Sequence, residues 1–236
     1  MIAIYKRELR AFFVTGLGYV FIGVFLALAS VLFYINNLTT RSSDMGGFFA
    51  MLSYIWVLLA PILVMRLLAG ERKKGTDQLL LTAPVSLSHI IAAKYLAALT
   101  ILFNALLISL IYPLLVYVYG YIYVPEIVTG YVGLFLYGGA FLALDMLVSS
   151  FAHSPTSAFV LSFGANLLIR LSGLLSDAVA IPAFSFTVSL FDLDARYLSF
   201  VYGQLSLANI MYYLLFTVSV LIVTVQVLKI GRWNQS

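Results

Sequence analysis

Few residues in this chain are of types that do chemistry, and their spacing points to contact rather than catalysis. The histidines, His89 and His153, stand far apart and lack neighbouring ligand residues, and with no cysteine the chain offers no thiolate metal site, disulfide or thiol nucleophile. No GxxxxGK[ST] loop is present to cradle nucleotide phosphates. The densest run of polar types is ERKKGTDQLLLTAP, Glu71 to Pro84. Here Glu71, Arg72, Lys73 and Lys74 form a charged cluster and Gly75 gives a break. Thr76 can cap a new helix whose first turn carries Asp77, where negative charge suits the helix dipole. Leu79, Leu80 and Leu81 supply apolar contact, and Pro84 favours termination nearby. The segment reads as a short helix bent away from a membrane, which a partner could grip as a knob, or more plainly as a cytoplasmic loop.

The elements around it are apolar. Across 236 residues, 63% are hydrophobic and 9% charged, with a mean hydropathy of +1.07. A soluble fold would be left with too little polar surface, whereas an all-α polytopic membrane protein needs this composition. Crossing about 30 Å of hydrocarbon takes roughly 20 apolar residues. Six runs qualify, at about Leu17 to Ile35, Phe49 to Leu68, Ile90 to Tyr117, Val128 to Ser150, Ser157 to Leu175 and Leu207 to Leu228. The fifth is interrupted by Asn166 and Arg170. The opening run is too long for a removable signal peptide and no small-residue cleavage pattern closes it. The formal charge of +4 is small and suggests a membrane surface and a cytoplasmic partner, with no case for nucleic acid.

Charge placement sets the expected orientation. With six spans, Lys6, Arg7 and Arg10, then Arg66, Arg72, Lys73, Lys74 and Lys94, and finally Lys229 and Arg232 fall on one side, and the positive-inside rule puts both termini in the cytoplasm. Ahead of the first span, Ile2, Tyr5, Leu9 and Phe12 recur at helical spacing with Lys6, Arg7 and Arg10 off that stripe. Residues 1–13 therefore read as an amphipathic helix lying in the interface, either a simple topology anchor or an anchor with a second role as a docking surface. The whole of 1–236 forms a single transmembrane domain, with 71–85 the cytoplasmic helix region and 177–204 an external segment.

That external segment alternates apolar runs with charge, and its Pro182 interrupts any regular span. Short or re-entrant helices covering the outer ends of the spans fit it, acting either as a structural cap or as a gate, with Phe191, Asp192, Phe200 and Gly203 as its marked positions. Three ionisable residues stand at membrane depth. Lys94 and Asp145 lie at comparable depth and could pair, while Arg170 could snorkel or line an exit path.

The stretch ERKKGTDQLLLTAPVSLSHIIAAKYLA resembles the signature region of type 2 ABC exporter (ABC-2) permeases, in particular short six-span subunits similar to gliding-motility permeases. Glu71, Gly75, Thr76, Leu79, Leu80, Pro84 and Lys94 fall on motif positions around that family's cytoplasmic coupling helix. The sequence departs from the pattern at Gln78, where an acid is frequent, and at Ala93, where a glycine often precedes the lysine. Phe200, Gly203, Leu207, Tyr212, Tyr213, Arg232 and Trp233 match its late pattern. The resemblance implies a coupling helix that enters a cleft in a separate cytoplasmic ABC ATPase, with ATP and Mg²⁺ bound in that partner and no cofactor bound by this chain. It also implies a second permease chain, as a homodimer, contact with membrane lipids, room for an accessory membrane protein, and a place in a prokaryotic cell membrane. The chain is then not an enzyme, and its expected function is that of the permease subunit of an ATP-driven exporter. An alternative is a non-transporting membrane component of an ATPase-driven envelope or motility machine. Lipid, glycan, peptide and hydrophobic drug all remain compatible as cargo.

Overall fold

The computed structural model describes residues 1–70, 86–178 and 192–233, and among these the chain is all-α. An amino-terminal helix α1 (Ile2–Val14) turns at Gly16, whose φ of 76° favours glycine, into α2 (Leu17–Phe33). A π-helical turn, Tyr34–Leu38, extends α2. There follow α3 (Gly46–Val64), α4 (Leu87–Ser109), α5 (Ile111–Tyr119), α6 (Val124–Ser149), α7 (Pro155–Ala178), a short α8 (Leu193–Val201) and α9 (Leu207–Trp233).

Five stretches among the described residues are long and apolar enough to cross a membrane: Leu17–Leu38, Gly46–Val64, Leu87–Tyr119, Val124–Ser149 and Leu207–Ile230. The fifth expected span falls on α7, whose apolar part, Pro155–Leu171, is shorter. The third is α4 and α5 together, broken at Leu110, and Pro113 explains the break. Proline has no N–H to give to the carbonyl four residues back, here Ser109. In hydrocarbon that carbonyl must find another donor, and the Tyr131 hydroxyl of α6 donates to it at 2.8 Å. Pro61 within α3 likewise frees the Val57 carbonyl, which accepts a long 3.4 Å bond from the Asn166 amide of α7. Each proline thus ties its helix to a neighbour.

Helix α6 is the hub, packed against α3, α4, α7, α8 and α9. Lipid tails are as apolar as leucine, so helices in a membrane associate through close packing and hydrogen bonds more than through burial. The small residues of α6 permit that approach. A Cβ at Gly130 would come within 2.5 Å of the Phe49 ring, and one at Gly133 within 2.6 Å of Phe200. By contrast α9 and α2 bury little of their spans, 11% and 28%.

The chain direction places α1 and α8 at opposite ends of the bundle. Tyr5, Leu9 and Phe12 of α1 turn toward the bundle while Lys6, Arg7 and Arg10 stay exposed, as their spacing predicts; Ile2, at the frayed start, is exposed instead. The Tyr5 hydroxyl shares a 3.0 Å hydrogen bond with Thr100 of α4, which fixes the helix against the bundle wall.

Candidate functional site

Two charge centres mark the two ends. At the α1 end, Lys94 is 1% exposed in α4, and its ammonium donates to the Leu67 carbonyl at 2.7 Å and to Glu8 Oε1 at 3.3 Å. Leu67 lies in the turn after α3, where carbonyls lack intrahelical donors and a cation suits the helix dipole. Glu8 also accepts from Arg7 at 2.6 Å. Lys94 therefore joins α1, the end of α3 and α4 at one point. Arg66 reinforces the junction by donating to the hydroxyl of Thr15 at the end of α1.

The expected pairing of Lys94 with Asp145 is not what forms. Similar depth is not enough, because the rotation of each helix decides which neighbour a side chain meets, and Lys94 faces α1. Asp145 is fully buried with no hydrogen bond to either carboxyl oxygen. Glu8 escaped notice because it is the lone acid among three basic neighbours in α1; the clue is its position three residues after Tyr5 and four before Phe12, on the inward stripe. The expected coupling positions Glu71, Arg72, Lys73, Lys74, Gly75, Thr76, Leu79, Leu80 and Pro84 lie outside the described residues, as does Phe191. What the structure fixes is their flanks: the Leu67 turn before the segment and Ser86, where α4 begins, after it.

At the other end, Arg170 of α7 fans its guanidinium over several partners. It donates to Asp194 of α8 at 2.9 Å, to the Tyr137 hydroxyl of α6 at 2.7 Å and to Ser53 of α3 at 3.2 Å, with the Tyr54 ring 3.4 Å from its central carbon. Tyr137 in turn donates to Asp194 at 2.7 Å. Burial lifts the Asp194 carboxyl above its ordinary value, while Arg170 and Tyr137 hold it back down. Arg170 therefore does not snorkel to headgroups; it is the knot that ties α8 to α3, α6 and α7.

Helix α8 is further sewn down by hydroxyls at both ends. Tyr197 donates to the Phe49 carbonyl at 2.9 Å, Thr129 to the Phe200 carbonyl at 2.8 Å and Tyr213 to the Leu193 carbonyl at 2.6 Å. Asp192 caps α8 by accepting from the Ala195 amide at 2.9 Å. Phe200 is fully buried against Gly133, and Gly203 takes a φ of 77° in the turn that leads to α9. Asp194, Tyr137, Ser53 and Tyr54 carried no local signal in the sequence, since they meet Arg170 only through the fold.

A bundle with several helices long and apolar enough to cross a membrane, a packed interior and polar junctions at its two ends defines a polytopic membrane protein. The family described as ABC-2 family transporter protein matches residues 25–235, nearly the whole chain, and the chain belongs to that family. Its members are transmembrane subunits without a catalytic motif of their own. No curated protein matches the chain.

Proposed function

We propose that this chain is the permease subunit of an ATP-driven exporter and that it couples hydrolysis in a separate cytoplasmic ATPase to movement of substrate across or out of the membrane. Six spans, both termini in the cytoplasm, and a second permease chain complete the transmembrane unit, with ATP and Mg²⁺ bound by the ATPase. The observation that carries the reading is the family match over residues 25–235. The geometry of the α1 end supports where coupling occurs. Segment 71–85 joins α3 to α4, and Lys94 binds the end of α3, the start of α4 and α1 into one body. A displacement of the segment by the ATPase would reach those helices together. For such coupling the two permease states must differ in affinity for the closed ATPase, typically by about 1–3 kcal/mol.

The test is ATP hydrolysis by the reconstituted complex with a candidate partner ATPase, comparing wild type with a Gly75→Pro chain whose insertion has been verified. Permease-dependent turnover is expected in wild type and is expected to fall at least roughly tenfold in the variant, equivalent to about 1.4 kcal/mol. An ATPase that neither binds nor responds to the wild-type chain would overturn that pairing.

A further inference from the structure

Near the α1 end, the seam between α6 and α7 holds polar atoms that nothing yet described uses. Both oxygens of Asp145, the Asn166 Oδ1 and the Ser149 Oγ are buried without a hydrogen-bond partner, and all three residues are at most 1% exposed. Ser149 lies one turn along α6 on the same face as Asp145. Ser162 of α7 reaches across the seam to the Asp145 carbonyl at 3.4 Å. Asn166 is one turn beyond Ser162, toward the middle of the bundle. Helical side chains lean toward the amino terminus of their helix, and for α6 this aims the Asp145 carboxyl along the seam toward Asn166.

The orientation of the Asn166 amide follows from chemistry. The Val57 carbonyl, freed by Pro61, only accepts, so Asn166 must present its Nδ2 there, as it does at 3.4 Å. Its Oδ1 is thereby left as a buried acceptor in need of a donor.

Among the described residues, no cation answers Asp145. Helices α3, α4, α7, α8 and α9 pack on α6. Their described ionisable groups are otherwise engaged or lie at the surface. Lys94 is bound to Glu8 and Leu67, Arg170 to Asp194, and Arg196 sits 3.9 Å over the Tyr212 ring. Tyr95, Tyr197 and Tyr213 donate to backbone carbonyls, while Tyr54, His89 and Lys229 are exposed. On α6 itself, Tyr131 and Tyr137 are bonded to Ser109 and Asp194, and Glu126 lies at the opposite end of the helix. A bare carboxylate in such a place is costly unless paired.

We propose that Asp145 is a proton-binding site in the α6–α7 seam: it stands there as the neutral acid with its O–H directed to Asn166 Oδ1, and parting of the two helices admits water, which takes the proton. One hydrogen then satisfies the carboxyl and the orphaned amide oxygen together. The site depends only on this chain and not on the identity of any ATPase.

The experiment is infrared spectroscopy of the purified full chain in lipid bilayers at neutral pH, with a proton count on unfolding. A protonated-carboxyl band should appear in wild type, shift when the aspartates alone are labelled with carbon-13, and vanish in Asp145→Asn, which keeps the shape and neutrality of the acid. In Asn166→Leu the band should move to the position of a carboxyl without an acceptor. Unfolding wild type in weak buffer at neutral pH should release about one more proton than unfolding Asp145→Asn. A spectrum with only ionised aspartate, a band that persists in Asp145→Asn, or equal proton release from the two chains would each overturn the proposal. If Asp145→Asn does not insert, the labelled wild type still decides: no protonated aspartate band at neutral pH refutes it.

Discussion

The two ends of the bundle solve the problem of a buried cation differently. At the α8 end, Arg170 spreads its fixed fork over an acid, two hydroxyls and an aromatic face drawn from three other transmembrane and external elements besides its own. At the α1 end, the compact Lys94 ammonium holds, among the described residues, the Leu67 carbonyl and the Glu8 carboxylate, which Arg7 shares. The first arrangement is redundant and rigid. The second hinges on a single side chain beside the segment that joins α3 to α4. In the proposed coupling, the α1 end would be the junction that transmits force and the α8 end the closure that resists it.

Substitutions at the two knots should break this contrast in order of size. Arg170→Met leaves Asp194 and the Ser53 hydroxyl without their cation, and thermal unfolding in lipid should register a loss of about 3 kcal/mol, near the lower end for a broken buried pair because Asp194 is partly exposed. Asp194→Asn should recover part of that loss when added to it, since the uncompensated charge is then gone; no recovery in the double variant would show that the pair is not the source.

Next in size, Gly133→Ala places a methyl group against Phe200 and Tyr197 and should cost roughly 1–3 kcal/mol through overpacking, with α8 loosened. Protease access to the turn around Gly203 is a direct readout. Lys94→Met should be milder in stability, about 1–2 kcal/mol, because Glu8 keeps Arg7 while the Leu67 carbonyl loses its donor. Its effect on permease-dependent ATP hydrolysis should nevertheless exceed that of Arg170→Met, if the α1 end carries coupling. The smallest effect is expected from Tyr131→Phe, about 1 kcal/mol, which removes the donor to the Ser109 carbonyl that Pro113 leaves open.

Much of the transmembrane layout could be read from the sequence because the spans are apolar runs of the right length and the α1 stripe has a helical period. The third run reads as one span, and its break at Leu110 follows from Pro113 only once the helices are seen. What the sequence could not supply is rotation. Depth along a helix follows from residue number, so Lys94 and Asp145 could be placed at similar levels, but the azimuth that turns Lys94 toward Glu8 and away from Asp145 arises from how the helices pack. Partners distant in sequence were equally hidden: Arg170 and Ser53 are 117 residues apart. Asp192, marked in the sequence only as part of an external cap or gate, proves to be the N-cap of α8, a short-range signal that an acid ahead of a helix carries.

The claim that the α1 end faces the ATPase is tested most directly by crosslinking. The chain has no cysteine, so a single introduced cysteine gives an unambiguous origin for a short crosslinker. Ser86→Cys lies exposed at the start of α4, beside the 71–85 segment, and Leu205→Cys lies exposed in the turn between α8 and α9. In the assembled complex, Ser86→Cys should crosslink to the ATPase and Leu205→Cys should not. Crosslinking from Leu205→Cys with none from Ser86→Cys would reverse the assignment of the two ends and contradict the account.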